Sequence, residues 1–107
     1  MAQVWKVLGK AAPANTTEVA VGAAIAASHT YQVKPWVANR TASPIVFRVR
    51  HAYADAAAAN DQYLAYGASC PANDFIVLPQ FILEATDKLY VVGDTGLTFV
   101  AYALDMS

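Results

Sequence analysis

The chain has 107 residues, 14% of them charged against roughly 25% in an average soluble domain, and a formal net charge of −1. This length suits one domain with a single core and is too short for two, and the absence of a basic run argues against a nucleic-acid partner. The longest apolar run, Val19 to Ala27, is too short for a membrane span, and a single cysteine, Cys70, excludes an intramolecular disulfide.

Short segments rich in Val, Ile, Phe, Tyr and Thr alternate with Gly, Pro, Asn and Asp clusters along the chain. This pattern predicts an all-β domain over residues 1–107, an antiparallel β-sandwich or jelly-roll-like barrel of about seven to nine short strands with little or no helix. The first strands are expected at residues 4–8, ended by Gly9, and at residues 17–21, ended by Gly22. Residues 1–29 form either these first strands or an N-terminal assembly arm, and residues 22–28 are expected to be a loop that includes a short strand.

The segment TYQVKPWVAN, residues 30–39, alternates in the manner of a half-buried strand. Pro35 has no N–H to donate to a neighbouring strand, so we expect either an edge position or a bulge there. One face of this strand is expected to contain Tyr31, Val33 and Val37, and the other Gln32, Lys34, Trp36 and Ala38.

The next alternating segment, residues 45–51, follows the turn-forming sequence NRTASP. Together with residues 30–39 it predicts a central hairpin whose turn runs from Asn39 to Pro44. The core face of the second strand is expected to be Ile45, Phe47 and Val49, and the opposite face Val46, Arg48 and Arg50.

The alanine tract at residues 53–61 is expected to be an exposed loop or a single helical turn. Further strands are expected within DQYLAYGA, NDFIVLP and KLYVV. The sequence GDTG at residues 93–96 predicts the tight turn of a final hairpin with the strand LTFVAYAL. A register slip in that strand would expose Leu97, Phe99 and Ala101, so we expect its pairing to be well specified.

No arrangement of residues predicts catalysis, a cofactor or a metal site. His29 and His51 lie in separate segments without a close-spaced carboxylate motif, so each is expected to be an ordinary polar residue. The oxygen-bearing side chains of residues 55–61 lack the ligand spacing of a calcium loop. Cys70 has no cationic neighbour in sequence and is expected to be a small half-buried residue without a nucleophilic role. We therefore expect a protein that is not an enzyme.

Two roles are open for the aromatic residues, which include six Tyr and two Trp. One role is a platform that stacks on sugar rings, formed by Trp36, Tyr63, Tyr66 and Tyr90. The other is packing in sheets and at subunit interfaces, where an apolar ring with a polar tip is favourable. The low charge of the chain favours the second role because it leaves a surface that other copies are expected to cover.

The segment from Trp36 to Asp105, about two-thirds of the chain, resembles small β-sandwich virion proteins encoded among the structural genes of tailed bacteriophages. The resemblance lies in an ANRT turn at residues 38–41, a Tyr-Leu-x-Tyr strand at residues 63–66 and an ND…L strand at residues 73–78. It continues in the pattern L-x-x-x-D-x-L-x-V at residues 83–91 and in the aromatic residues at 99–102.

The resemblance implies a virion component such as a capsid decoration, head-spike or tail-associated protein, assembled as a symmetric oligomer with a trimer favoured. Its implied partners are copies of itself and major capsid or other virion proteins, and its implied location is the virion, after synthesis in the host bacterial cytoplasm. No signal-peptide core follows Lys6 and Lys10, which agrees with that location.

For the assembly role we expect an interface of roughly 1,600 Å² in which the arginines pair with a carboxylate of a neighbouring subunit. The alternative function is a carbohydrate- or receptor-binding module of a phage tail, which would present an exposed aromatic cleft. The predicted interface residues are Trp36, Val46, Arg48, Arg50, Tyr90 and Tyr102.

Overall fold

The computed structural model describes residues 5–13, 18–22, 25, 28–55 and 62–106. Within these residues the chain forms nine β-strands, a 3₁₀ turn at Tyr53–Asp55 and no α-helix, so the all-β prediction is confirmed. None of them belongs to a helix long and apolar enough to cross a bilayer. The strands are β1 (Trp5–Ala11), β2 (Val19–Ala20), β3 (Tyr31–Asn39), β4 (Ile45–Ala52), β5 (Tyr63–Cys70), β6 (Phe75–Val77), β7 (Phe81–Leu83), β8 (Lys88–Gly93) and β9 (Leu97–Asp105).

The strands form two antiparallel sheets that pack face to face as a β-sandwich. The front sheet has the order β1-β9-β3-β6, and β7 pairs with β3 beside β6. The back sheet has the order β2-β8-β4-β5. Both sheets contribute to one hydrophobic core.

The core is built from the inward positions of the long strands, as alternation in the sequence predicts. Val33 and Val37 of β3 and Phe47 and Val49 of β4 are fully buried. Across the sandwich, Phe47 meets Phe99 edge to face, with the ring centroids 5.7 Å apart. Full burial of each large side chain contributes roughly 1.5–3 kcal/mol, so these inward rows supply much of the stability of the fold.

The two hairpins predicted from the sequence are wrong, because each pair of consecutive strands is divided between the sheets. Strand β3 pairs with β6, β7 and β9 in the front sheet, whereas β4 pairs with β5 and β8 in the back sheet. Likewise β8 belongs to the back sheet and β9 to the front sheet. Alternation in a strand specifies which side chains face the core, but it does not specify the neighbouring strand.

The connection from β3 to β4 crosses between the sheets around the buried side chain of Asn39. Its amide nitrogen donates to the carbonyl oxygens of Ser43 at 2.8 Å and Cys70 at 3.1 Å, and its Oδ1 accepts from the backbone N–H of Thr41 at 2.9 Å. These bonds tie a side chain of the front-sheet strand β3 to backbone groups of the connection and of β5 in the back sheet. The turn-forming residues that suggested a hairpin therefore stabilise an arch between layers.

The prediction of an edge position or a bulge at Pro35 is also wrong. Strand β3 lies inside the front sheet and stays in register with β9 from Tyr31 to Asn39. Strands β6 and β7 pair with the same side of β3, and Leu78 lies in the connection between them. The carbonyl of Pro35 accepts a hydrogen bond from the N–H of Leu78 at 3.1 Å. Because the N and C=O of a strand residue point to the same side, the missing N–H falls in this gap between two short strands.

Near the N-terminus, β1 continues through Gly9 to Ala11, with a register irregularity between Val7 and Gly9, whereas the sequence predicted an end at Gly9. Most of the predicted loop at residues 22–28 lies outside the described residues, although Ile25 is buried in the core. The alanine tract begins with the 3₁₀ turn at Tyr53–Asp55, and residues 56–61 lie outside the described part of the chain.

Candidate interface on the front sheet

The predicted interface residues lie on two opposite faces of the sandwich. Trp36 and Tyr102 point outward from the front sheet, whereas Val46, Arg48, Arg50 and Tyr90 lie on the outward side of the back sheet. A single flat contact cannot therefore include all of them.

The outward side of the front sheet is predominantly apolar. Residues directly opposite in register share a face, so Val7 lies beside Tyr102, and Trp36 lies between Val100 and Val77. This front face contains the large apolar side chains Trp5, Val7, Trp36, Phe75, Val77, Ile82, Val100, Tyr102 and Leu104.

Six of these side chains, on four of the five strands, are between 38% and 51% exposed. Spacings of about 4.8 Å between strands and 3.3 Å between residues give the face a projected area on the order of 600 Å². A standard protein interface buries about 800 Å² per partner, and the largest apolar patch of a monomer, roughly 300–600 Å², is often functional. The front face thus has nearly the size and the composition of a subunit interface.

A depression lies near the middle of the front face. It has a volume of about 430 Å³ and is lined by Trp5, Lys34, Trp36, Gln80 and Tyr102. Three aromatic side chains therefore surround a single ammonium group. The indole of Trp36 also stacks on the ring of Phe75, which does not line the depression; the centroids are 4.9 Å apart and the planes 12° from parallel, which fixes the orientation of the indole.

The charges of the front sheet have one sign on its outward side. Its outward cations are Lys10 and Lys34, which oppose Val100 and Tyr102 in register. The only acidic residue in the five strands, Asp105, opposes the buried Tyr31 and lies 2.9 Å from Nδ1 of His29. Among the described strands, the front face therefore presents lysines and no carboxylate.

On the back sheet, Arg50 is 3% exposed and its charge is satisfied within its own chain. Its Nε and Nη2 donate to the two carboxylate oxygens of Glu18 at 3.0 and 2.6 Å, and its Nη1 donates to Gln62 at 2.7 Å. The hydrogen bonds to Glu18 raise the pKa of Arg50 above its usual value. The carboxylate that the sequence placed on a neighbouring subunit is thus found in the same chain.

Removing this carboxylate tests the pair. We expect Glu18→Ala to lower the free energy of unfolding by about 2 kcal/mol, because the buried guanidinium loses its bidentate partner. Urea denaturation of Glu18→Ala, Arg50→Met and the double variant measures the coupling between the two residues. Additive losses in the double variant would show that the ion pair contributes nothing of its own.

The aromatic platform predicted from Trp36, Tyr63, Tyr66 and Tyr90 does not exist as one surface, because Trp36 lies on the opposite sheet from the tyrosines. The guanidinium of Arg48 lies 4.0 Å from the ring centroid of Tyr66, and that of Arg50 lies 4.4 Å from the ring of Tyr90. One face of each ring is therefore occupied by a cation. Tyr90 is also fixed by its hydroxyl, which donates to Asp55 at 2.6 Å, and this hydrogen bond raises the pKa of Tyr90.

A buried carboxylate, Asp87, organises the end of the back sheet; in the sequence it stood out only as the acidic position of the L-x-x-x-D-x-L-x-V pattern, without a structural or functional role. It is 2% exposed and accepts hydrogen bonds from Nε2 of His51 at 2.7 Å and from the backbone N–H groups of Ala54 at 2.9 Å and Glu84 at 3.0 Å. Burial alone would raise the pKa of Asp87, but the bonds from Ala54, His51 and Glu84 outweigh it and lower the pKa below the usual value.

The lowered pKa of Asp87 predicts a loss of stability in acid. Because the folded pKa lies below the unfolded value of about 3.9, the contribution of the ionised carboxylate is complete above pH ~5 and is lost as the pH falls through the folded pKa. Urea midpoints measured from pH 7 to pH 3 should therefore fall more steeply for the wild type than for Asp87→Asn. Parallel curves would contradict this assignment.

The remaining candidate groups show no catalytic arrangement among the described residues. Cys70 is fully buried, whereas the sequence predicted a half-buried residue, and burial raises the pKa of its thiol. Each histidine contacts one carboxylate, Asp105 for His29 and Asp87 for His51. No group of three or more His, Cys, Asp or Glu side chains capable of holding a metal ion occurs in the described part of the chain.

No protein-family model matches the chain, and no curated protein is significantly similar to it in sequence. The likeness to phage virion proteins therefore rests on the sequence motifs alone. The geometry of the front face is the independent observation that bears on function.

Proposed function

We propose that this chain is a non-enzymatic structural protein that acts by assembly, and that the front face is its interface. The observation that supports the proposal is the contiguous apolar surface on the outward side of the front sheet, which includes half-exposed tryptophan, phenylalanine and tyrosine side chains. Covering this surface removes apolar area from water, which is the main favourable term in protein association.

The second part of the proposal names the assembly: a tailed-bacteriophage virion, in which the chain is a capsid decoration, stabilising or head-spike protein. Its partners are copies of itself and major capsid or other virion proteins. The support is the resemblance between residues 36 and 105 and small β-sandwich virion proteins, together with the low charged fraction of 14%.

The interface is tested by substituting its central aromatic residue. We expect Trp36→Ala to convert the wild-type oligomer to a smaller species, with only a small loss of melting temperature, because the indole projects outward from the sheet. Tyr66→Ala, an exposed aromatic substitution on the back sheet, is the matched control and should keep the wild-type mass. Sedimentation velocity and thermal melting of the three proteins measure both effects.

Two results would contradict the proposal. A wild-type protein that is monomeric at every concentration would show that copies of the chain do not associate through this face. An unchanged mass of Trp36→Ala combined with a large drop in melting temperature would show that the indole stabilises the fold and not an assembly.

A second candidate function is a carbohydrate- or receptor-binding module of a phage tail. One observation favours it, the depression whose walls include Trp5, Trp36 and Tyr102 and whose polar groups are Lys34 and Gln80. Under this alternative the protein is a monomer, and glycans quench its tryptophan fluorescence. The assembly function predicts instead that a neighbouring protein surface fills the depression.

A further inference from the structure

The charges of the chain are segregated between the front face and the rest of the surface. Of the seven acidic residues that the structure describes, only Asp105 lies in a front-sheet strand, and it is paired with His29 on the inward side. The outward side has the ammonium groups of Lys10 and Lys34. A contact that covers this face must therefore desolvate cations for which the face itself contains no counter-charge.

This composition disfavours a symmetric contact of the front face with itself. In a two-fold interface the same patch lies on both sides, so lysines of one copy would meet the lysines and apolar residues of the other. Lys34 lies on the inner strand β3, beside Trp36, and would be desolvated near the centre of such an interface. A desolvated charge without a partner is strongly unfavourable in an interface.

The carboxylates available to such a contact lie in the loops. Asp74, Glu84 and Asp94 are exposed, and no cation pairs with them within the described residues. The only side-chain hydrogen bonds of Asp74 and Asp94 in that part of the chain are with the N–H of the following residue. Glu18, Asp55, Asp87 and Asp105, in contrast, already bind partners within the chain.

We propose that the interface is heterologous: the front face of one copy binds a different loop surface of a second copy, the end of the sandwich where Asp74 and Asp94 lie, and one of these carboxylates enters the aromatic depression beside Lys34. This inference rests on the assembly function proposed above and names the partner of the same face. A heterologous contact closes into a ring when the rotation between copies permits, which is compatible with the trimer that the resemblance implies.

Substitution of Lys34 by methionine separates the two geometries by the sign of its effect. In the heterologous contact Lys34→Met removes a charge pair in an apolar setting and weakens assembly, by roughly tenfold in dissociation constant. In a symmetric contact the same substitution removes like-charge repulsion and tightens assembly. Lys88→Met, on the back sheet, is the matched control and should leave the dissociation constant unchanged. Tighter or unchanged assembly of Lys34→Met would overturn the inference.

A mixing experiment tests the geometry independently of charge. Trp36→Lys disables the front face but leaves the loop surface intact, so a heterologous contact predicts that wild-type copies still bind this variant. The ¹⁵N-labelled variant is mixed with unlabelled wild type at low concentration, and the mixture is concentrated and examined by native mass spectrometry. Mixed complexes are expected, whereas exclusion of the variant from every complex would overturn the inference.

The outcomes distinguish the inference from the function on which it rests. Wild-type protein that stays monomeric contradicts the proposed function itself, whereas wild-type oligomers that exclude the variant contradict only the heterologous geometry. Melting curves verify that Trp36→Lys is folded. Val7→Lys, at a half-exposed position of the edge strand β1, is the second variant and is expected to give the same mixed complexes.

Discussion

Replacement of Asp87 by alanine is expected to lower the free energy of unfolding by about 4 kcal/mol, a larger loss than that expected for Glu18→Ala. The carboxylate is almost completely buried and accepts hydrogen bonds from His51, Ala54 and Glu84. Its removal leaves two backbone N–H groups and an imidazole without an acceptor, and each unsatisfied buried donor costs roughly 1–3 kcal/mol. Equilibrium urea denaturation at neutral pH measures the loss.

Asp94→Ala is the matched control for this prediction. Asp94 is an exposed turn carboxylate that accepts one hydrogen bond, from the N–H of Thr95 at 2.8 Å. Its removal is expected to cost less than about 1 kcal/mol. Equal losses for the two variants would show that the three bonds to Asp87 do not stabilise the fold.

Replacement of Gly9 by alanine is expected to cost about 3 kcal/mol, because no space exists for a side chain at this position. A Cβ added to Gly9 would overlap with the backbone nitrogen and Cα of Gly22, and backbone atoms cannot move aside as a side-chain end can. The contact joins β1 of the front sheet to the segment after β2 of the back sheet. Gly9→Ala therefore separates the two sheets at this side of the sandwich.

Gly67→Ala provides the comparison for Gly9→Ala. Gly67 has a φ of +73°, but a Cβ there would meet nothing within 4 Å, so only backbone strain of about 1 kcal/mol is expected. Urea denaturation should place Gly9→Ala well below Gly67→Ala in stability. The reverse order would contradict the close approach of the two chain segments.

Much of the fold could be predicted from the sequence because burial follows alternation. Val33, Val37, Phe47 and Val49 face the core as the two-residue period requires. The pairing could not be predicted in the same way, because a polar connection such as the one around Asn39 is compatible with a hairpin and with an arch between sheets. The arch was identified only from the register of the strands.

The candidate interface could be predicted only in part. Trp36 and Tyr102 were expected to point outward, and both lie on the front face. Trp5 and Phe75 were not expected there: in β1 the alternation of Trp5 and Val7 with Lys6 favours an inward Trp5, whereas β6 is apolar on both sides and alternation does not separate its inward from its outward residues. Arg50 was assigned to a subunit contact because its partner Glu18 is distant in sequence, and that pairing follows from tertiary structure alone.

Hydroxyl-radical footprinting of the dilute and the concentrated wild-type protein tests the central claim most directly, since it reports which face becomes covered on assembly. We expect oxidation of Trp36, Phe75 and Tyr102 on the front face to fall severalfold as the protein associates. Oxidation of Tyr53, which is exposed in the 3₁₀ turn, serves as the internal reference. Front-face aromatic residues that stay equally reactive in the monomer and the assembly would contradict the claim that this face is the interface.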